Sequence, residues 1–192
     1  MRLRIAGVAL AIGLSFSAVT QAGGVSGSAI ANTCAGCHGV NGASSGDTMP
    51  IIGGLPKVFL DAAMKQYRDG TRASTIMGRI AKGYNDEQIA AMSEILAKQQ
   101  WVSSKETTDA KLAQIGREIH VKRCEVCHEK EGSLVAADAP PRVAGQWMGY
   151  LNLYLNDINN PDWANKHPKK QLFATLSKDE MNALAHFFAS KK

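Results

Sequence analysis

Apolar residues in this chain recur at helical spacing, in blocks that come in two matching sets. Ile89, Met92 and Leu96 form one stripe and Met181, Leu184, Ala185 and Phe188 another, each with the period of a helix face packed on a core. Both stripes follow a start signal, Asn85-Asp86-Glu87-Gln88 and Ser177-Lys178-Asp179-Glu180, in which the first side chain can accept from the fourth residue's N–H and the fourth can answer. Earlier in each set an aromatic-led run, Phe59 to Tyr67 and Tyr150 to Leu155, predicts a second helix, and Ser26 to Asn32 and Asp109 to Arg123 predict the opening ones. Gly116 interrupts the latter where a close helix crossing would leave no room for a side chain. Every element predicted in this way is a helix.

The two sets carry the same chemistry. Cys34-Ala35-Gly36-Cys37-His38 returns 90 residues later as Cys124-Glu125-Val126-Cys127-His128, and the pair uses all four cysteines. A CxxCH motif is the attachment signal of c-type haem: each thiol adds across a vinyl group, and the next residue puts an imidazole under the iron. Cys34, Cys37, Cys124 and Cys127 are therefore expected to hold two covalent haem c groups, with His38 and His128 as proximal iron ligands. Two disulfides, or zinc at the same residues, are the competing readings, and a histidine directly after each pair argues against disulfides. Pro50 lies 12 residues after His38 and Pro140 lies 12 after His128, which extends the repeat.

The start of the chain, Met1-Arg2-Leu3-Arg4 and then an uncharged run from Ile5 to Val19, has the form of a secretory signal peptide ending near Ala22. Its apolar run falls short of the roughly 20 residues that span a bilayer, so a membrane anchor is the weaker reading. No later stretch is long enough to span, and the mature chain is expected in the periplasm from about Gly23. The formal charge of +5, less Arg2 and Arg4, leaves +3 on the mature chain, with both signs mixed along it. No basic run tracks phosphates, which argues against nucleic acid as a partner. Ser103 to Thr108 is polar and without helical period. This places a short linker at 103–108 between domains at 23–102 and 109–192, holding the two haem domains against each other.

A low-spin haem takes a second axial ligand, and methionine serves where the potential is high. Met64 lies inside a predicted helix and Met92 on a packing stripe, so Met77, in the Gly/Thr/Ser-containing loop between the helices, is the expected ligand of haem 1. The second half has no methionine between Gly149 and Glu180. Counting 39 residues on from His128, the interval from His38 to Met77, reaches His167. Counting back from the second helix start reaches Lys169 instead, so Lys169, Lys170, Met148 and an open site stand as alternatives to His167. A bis-histidine haem 2 would sit at lower potential than a histidine–methionine haem 1. His120 and His186 are read as packing or surface residues, and Arg72, Arg79, Lys82 and Arg142 as basic residues flanking the haem loops without an assigned site.

Three segments carry a family resemblance: Cys34 to Gly39; Ser74-Thr75-Ile76-Met77-Gly78-Arg79-Ile80-Ala81-Lys82-Gly83-Tyr84; and Ala144-Gly145-Gln146-Trp147 with Tyr150-Leu151. In these the chain resembles exported dihaem class I cytochromes c, most of all the cytochrome subunits of flavocytochrome c sulfide dehydrogenases. The resemblance covers the whole mature chain. It implies an all-α fold of two tandem small cytochrome c domains related by a pseudo-twofold axis, with propionate edges close together. It also implies an FAD-containing flavoprotein partner that oxidises sulfide and passes electrons singly through the haems. The family has methionine on the second haem loop as well, and this chain departs from it at His167. Catalysis would belong to the partner. A free dihaem shuttle between redox proteins is the alternative, and a haem peroxidase or small-molecule reductase, which needs an exchangeable sixth site, is a third.

Overall fold

A computed structural model describes residues 26–136, 140–158 and 170–192. The signal-peptide segment, His167 and Lys169 lie outside the described residues. Among the described residues all regular structure is helical.

The first half runs α1 (Gly27–Thr33), α2 (Ala35–His38), α3 (Lys57–Arg68), α4 (Met77–Ile80) and α5 (Asp86–Ala97). The second runs α6 (Ala110–Arg123), a left-handed turn at Glu129–Gly132, α7 (Met148–Ile158), α8 (Lys170–Phe173) and α9 (Lys178–Ala189). Local chemistry sets the helix starts. Ser26 caps α1, Asp109 caps α6 by accepting from Lys111 and Leu112 N–H, and both predicted capping boxes form at Asn85/Gln88 and Ser177/Glu180. The expected loop at Met77 contains a helical turn: Ser74 Oγ accepts from Gly78 N–H at 2.6 Å, a local side-chain bond that apolar periodicity does not register.

Each half has its own core. Ile30, Leu55, Leu60, Ile89, Met92 and Leu96 pack together in the first, and Leu151, Leu155, Met181, Leu184, Phe187 and Phe188 in the second. The first and last helices of each half cross at a small residue. A Cβ on Gly116 would stand 2.1 Å from Ala183 O, and one on Gly27 would stand 3.1 Å from Ala91 O.

Matched backbone bonds establish the repeat more closely than the cysteines alone. Ile52 and Gly53 N–H donate to Gly42 O, as Val143 and Ala144 N–H donate to Gly132 O. Gly54 and Gly145, both at positive φ, donate to Leu96 O and Phe188 O. The offset between halves is thus 90 at the cysteines, 91 at Gly54/Gly145 and 92 at Asn85/Ser177. Pro141, one residue beyond the expected Pro140, is the counterpart of Pro50, because the second loop carries one extra residue before Val143.

The halves are locked by directional bonds. Trp147 Nε1 donates to Ser44 O at 3.0 Å and Tyr150 N–H to Asp47 O at 2.7 Å. The segment between the halves is pinned as well: Glu106 Oε2 accepts from Met148 N–H at 2.7 Å, and Ser104 N–H donates to Gly145 O at 2.7 Å.

Candidate haem crevices

α2 is one turn long, and it places Cys34, Cys37 and His38 together at the end of α1. His38 is buried, and its Nδ1 lies 2.8 Å from Pro50 O. A carbonyl can only accept, so Nδ1 carries the proton and Nε2 is left as the lone-pair nitrogen, the tautomer an axial ligand needs. Burial pushes the imidazole below its ordinary pKa, while the bond to Pro50 works in the other direction. In the second half His128 follows Cys127 in the same arrangement, with its ring 6.4 Å from that of Phe188.

No disulfide joins any of the four cysteines. Before haem attachment, burial raises the Cys34 thiol and pushes Cys124 up to about 11. Cys34, Cys124, Cys127, His38 and His128 line one continuous cavity of about 600 Å³ that runs through both halves. Its walls are largely apolar, with Leu55, Leu60, Met92 and Leu96 in the first half and Val143, Leu151 and Phe173 in the second. A flat apolar macrocycle tethered at each cysteine pair, with an imidazole below it, suits these donors and walls.

Met77 lines the cavity as the first residue of α4. Met64 and Met92 line it too, but both pack into the first core, and Met92 is fully buried there. Met148 packs on the second core. The offset of 91 to 92 beyond α7 puts the counterpart of Met77 at Pro168 or Lys169, so His167 and Lys169 stand on or beside that position. The count of 39 residues, made at the cysteine offset of 90, reaches His167, one residue before Pro168.

Three features were not assigned a role from sequence. Arg72 lines the cavity where the halves meet, with its guanidinium carbon 5.0 Å from the ring centroid of Tyr67, 5.6 Å from Phe59 and 5.9 Å from Tyr154. Burial opposes its charge, yet the neighbouring tyrosines Tyr67, Tyr154 and Tyr150 shift it upward on balance. Tyr150, enclosed beside it, has its hydroxyl pushed far above the ordinary range by burial. Gln146, known from sequence only as part of a motif, reaches across to the first half. His120 proves fully buried, between Phe187 and Phe188, with no protein partner for either ring nitrogen.

Two haem-attachment motifs on one lined cavity, in a helical chain built as a duplicate, define a dihaem electron-carrying protein. A family model described as cytochrome c matches residues 25–100. A relative described as thiosulfate dehydrogenase electron acceptor, from Stutzerimonas stutzeri, is 30% identical over 178 residues, covering 83% of this chain and 79% of its own. The chain belongs to the cytochrome c family. The cytochrome subunit of sulfide dehydrogenase from Chlorobaculum tepidum is 44% identical over 62 residues, covering 32% of this chain and 56% of that relative's length. Cytochrome c4 of Pseudomonas aeruginosa is 24% identical, over 93% of each chain. Among solved structures, reduced cytochrome c4 from Pseudomonas stutzeri superposes with a TM-score of 0.76 at 19% identity, covering 86% of this chain and 97% of that one. The thiosulfate dehydrogenase of Marichromatium purpuratum, at 25% identity, gives 0.70 over 83% of this chain and 36% of that one. The chain is accordingly a c-type cytochrome with two covalently attached haem c groups, and it transfers electrons.

Proposed function

We propose that this cytochrome is the electron-accepting partner of a sulfur-oxidising dehydrogenase, exported to the periplasm after loss of residues 1–22. The observation that carries the reading is the single cavity lined by both CxxCH motifs, which offers an internal path between two one-electron centres. Iron in each macrocycle supplies the one-electron chemistry. The chain's own residues would tether, orient and shield it: Cys34 and Cys37, and Cys124 and Cys127, would anchor it as thioethers, His38 and His128 would hold the iron from one side, and Met77 and His167 from the other. Leu55, Leu60, Leu151 and Phe173 exclude water from the crevices, which favours electron transfer over reaction with small molecules.

The donor we propose is an FAD-containing sulfide dehydrogenase subunit, in line with the 44% identity to a sulfide dehydrogenase cytochrome over 62 residues. The broader match to a thiosulfate dehydrogenase electron acceptor favours a second reading, a thiosulfate-oxidising donor with this chain as its acceptor. Purification of the native protein separates them. A flavin-containing subunit that co-purifies and reduces the haems on addition of sulfide supports the first. Reduction by thiosulfate through a co-purifying subunit, with no response to sulfide, overturns it in favour of the second.

A further inference from the structure

Gln146 belongs to the second half, yet its side chain is buried against the first. Its Oε1 accepts from Ile51 N–H at 2.9 Å, and its Nε2 donates to Ile51 O at 3.0 Å. The amide orientation follows from chemistry, since Ile51 N–H can only donate and Ile51 O can only accept. Ile51 N–H and Pro50 C=O are the two poles of one peptide group, and Pro50 O is the atom that holds His38 Nδ1 at 2.8 Å. An unbroken line therefore runs from the Gln146 carbonyl to Ile51 N–H, through the conjugated peptide to Pro50 C=O, and on to the proximal imidazole of the other half.

We propose that Gln146 tunes the first haem from the second domain by polarising the Pro50–Ile51 peptide. The inference rests on the reading of His38 as an axial ligand. Hydrogen bonds in series strengthen one another, so donation from Ile51 N–H makes Pro50 O a better acceptor for the His38 proton. A stronger bond at Nδ1 raises the basicity of Nε2, the effect that outer-shell partners have on metal-bound histidines. A more basic ligand stabilises ferric over ferrous iron and lowers the potential of haem 1. The second amide bond, to Ile51 O, fixes the Gln146 side chain so that its Oε1 stays on Ile51 N–H.

The effect runs one way. Gly54 and Gly145 are equivalent by their positive φ and their matched bonds to Leu96 O and Phe188 O, so the counterpart of Gln146 is Leu55. Leu55 is a buried residue of the first core with no polar side-chain atom to return the contact. Domain 2 thus adjusts haem 1, and at the equivalent position domain 1 presents only the apolar Leu55.

The test is a spectroelectrochemical titration of the full holoprotein and its Gln146→Met, Gln146→Glu and Trp147→Phe variants. His38→Gly first identifies the haem 1 component as the one whose low-spin spectrum is lost and is restored by imidazole. If His38→Gly alters neither haem, the ligand reading fails independently of the relay. Gln146→Met is expected to raise haem 1 alone, by up to about 59 mV, the one-electron equivalent of a tenfold change. It should also speed solvent exchange of the His38 Nδ1 proton. Trp147→Phe removes a neighbouring interdomain bond, that to Ser44 O, and should leave haem 1 in place. An unchanged haem 1 in Gln146→Met, equal shifts of both haems, or the same shift in Trp147→Phe would overturn the proposal. Should Gln146→Met fail to assemble, Gln146→Glu decides: it keeps an acceptor oxygen and should hold haem 1 at or below its native potential, and a rise would contradict the relay.

Discussion

The guanidinium of Arg72, in the first half, stands 5.9 Å from the ring centroid of Tyr154, in the second, at the point where the two haem crevices become one cavity. A cation held there by rings from both halves, on the wall of the cavity that both CxxCH motifs line, would act on the charge of a haem held at either motif. Arg72→Gln removes that positive charge from a buried site, which favours ferric iron on both sides. Both potentials should fall, by amounts that shrink little with added salt because the site is enclosed. Redox titration at low and high ionic strength checks this, and a change confined to one haem would contradict it. The direction is opposite to that expected for Gln146→Met, so the two effects are separable in one set of titrations.

Met77 should be replaceable only at the cost of the thioether signature. Met77→His is expected to lower the potential of haem 1 and abolish the weak far-red band of iron–thioether coordination, since methionine favours ferrous iron. Met64→Leu and Met92→Leu keep volume in the core and should leave both properties in place, at a cost below about 1.5 kcal/mol each. Loss of the band in Met92→Leu but not in Met77→His would transfer the role.

His120 should make the second half acid-sensitive. Burial depresses its pKa below the ordinary 6.5, with Glu125 and Glu131 acting to raise it and Lys191 and Arg117 to lower it. A depressed folded value means that the unfolded chain binds the extra proton first. The contribution is therefore fully present above about pH 6.5 and is lost as pH falls through the lower folded value. Its counterpart in the first half is Ile30, also buried. His120→Ile should flatten the dependence between neutral and mildly acid pH in denaturant unfolding, and a profile identical to the parent's would exclude His120 as the source.

Much of this architecture was legible in the sequence. The capping boxes, the amphipathic helices, the Gly116 crossing and the CxxCH repeat depend on contacts within a few residues or on a strict local spacing, and each formed as read. What was not legible depends on contacts between distant segments. Arg72 gives no sign from its neighbours that Tyr154 will close over it. Gln146 reads as one residue of a motif until Ile51 is seen opposite, and the extra residue that pairs Pro50 with Pro141 became visible only through the bonds to Gly42 and Gly132. His120 reads as a packing or surface residue, and nothing in the sequence shows that neither of its ring nitrogens finds a protein partner.

Gly116 offers a test of packing apart from the haems. A Cβ there would stand 2.1 Å from Ala183 O, against backbone that cannot turn aside, whereas at Gly27 the nearest atoms lie at 3.0 Å or more. Gly116→Ala should destabilise the second half by about 1–3 kcal/mol or more, and Gly27→Ala should cost less. Thermal unfolding followed at the haem absorbance ranks them, and an equal effect would mean that the α6/α9 crossing relaxes freely.

The distal position of haem 2 is decided by substitution at its two flanking residues. His167→Met should produce a second thioether band and raise the lower potential, while Lys169→Met should leave both unchanged. The reverse pattern would assign the site to Lys169.

The central claim, two covalently held haems exchanging single electrons without turnover, is tested most directly by a coulometric redox titration of the mature protein monitored by absorbance. The prediction is two electrons per chain in two one-electron steps, with a spectrum that acid-acetone extraction does not remove and that cyanide does not perturb rapidly. One electron per chain, or rapid cyanide binding accompanied by peroxide turnover at one iron, would contradict it.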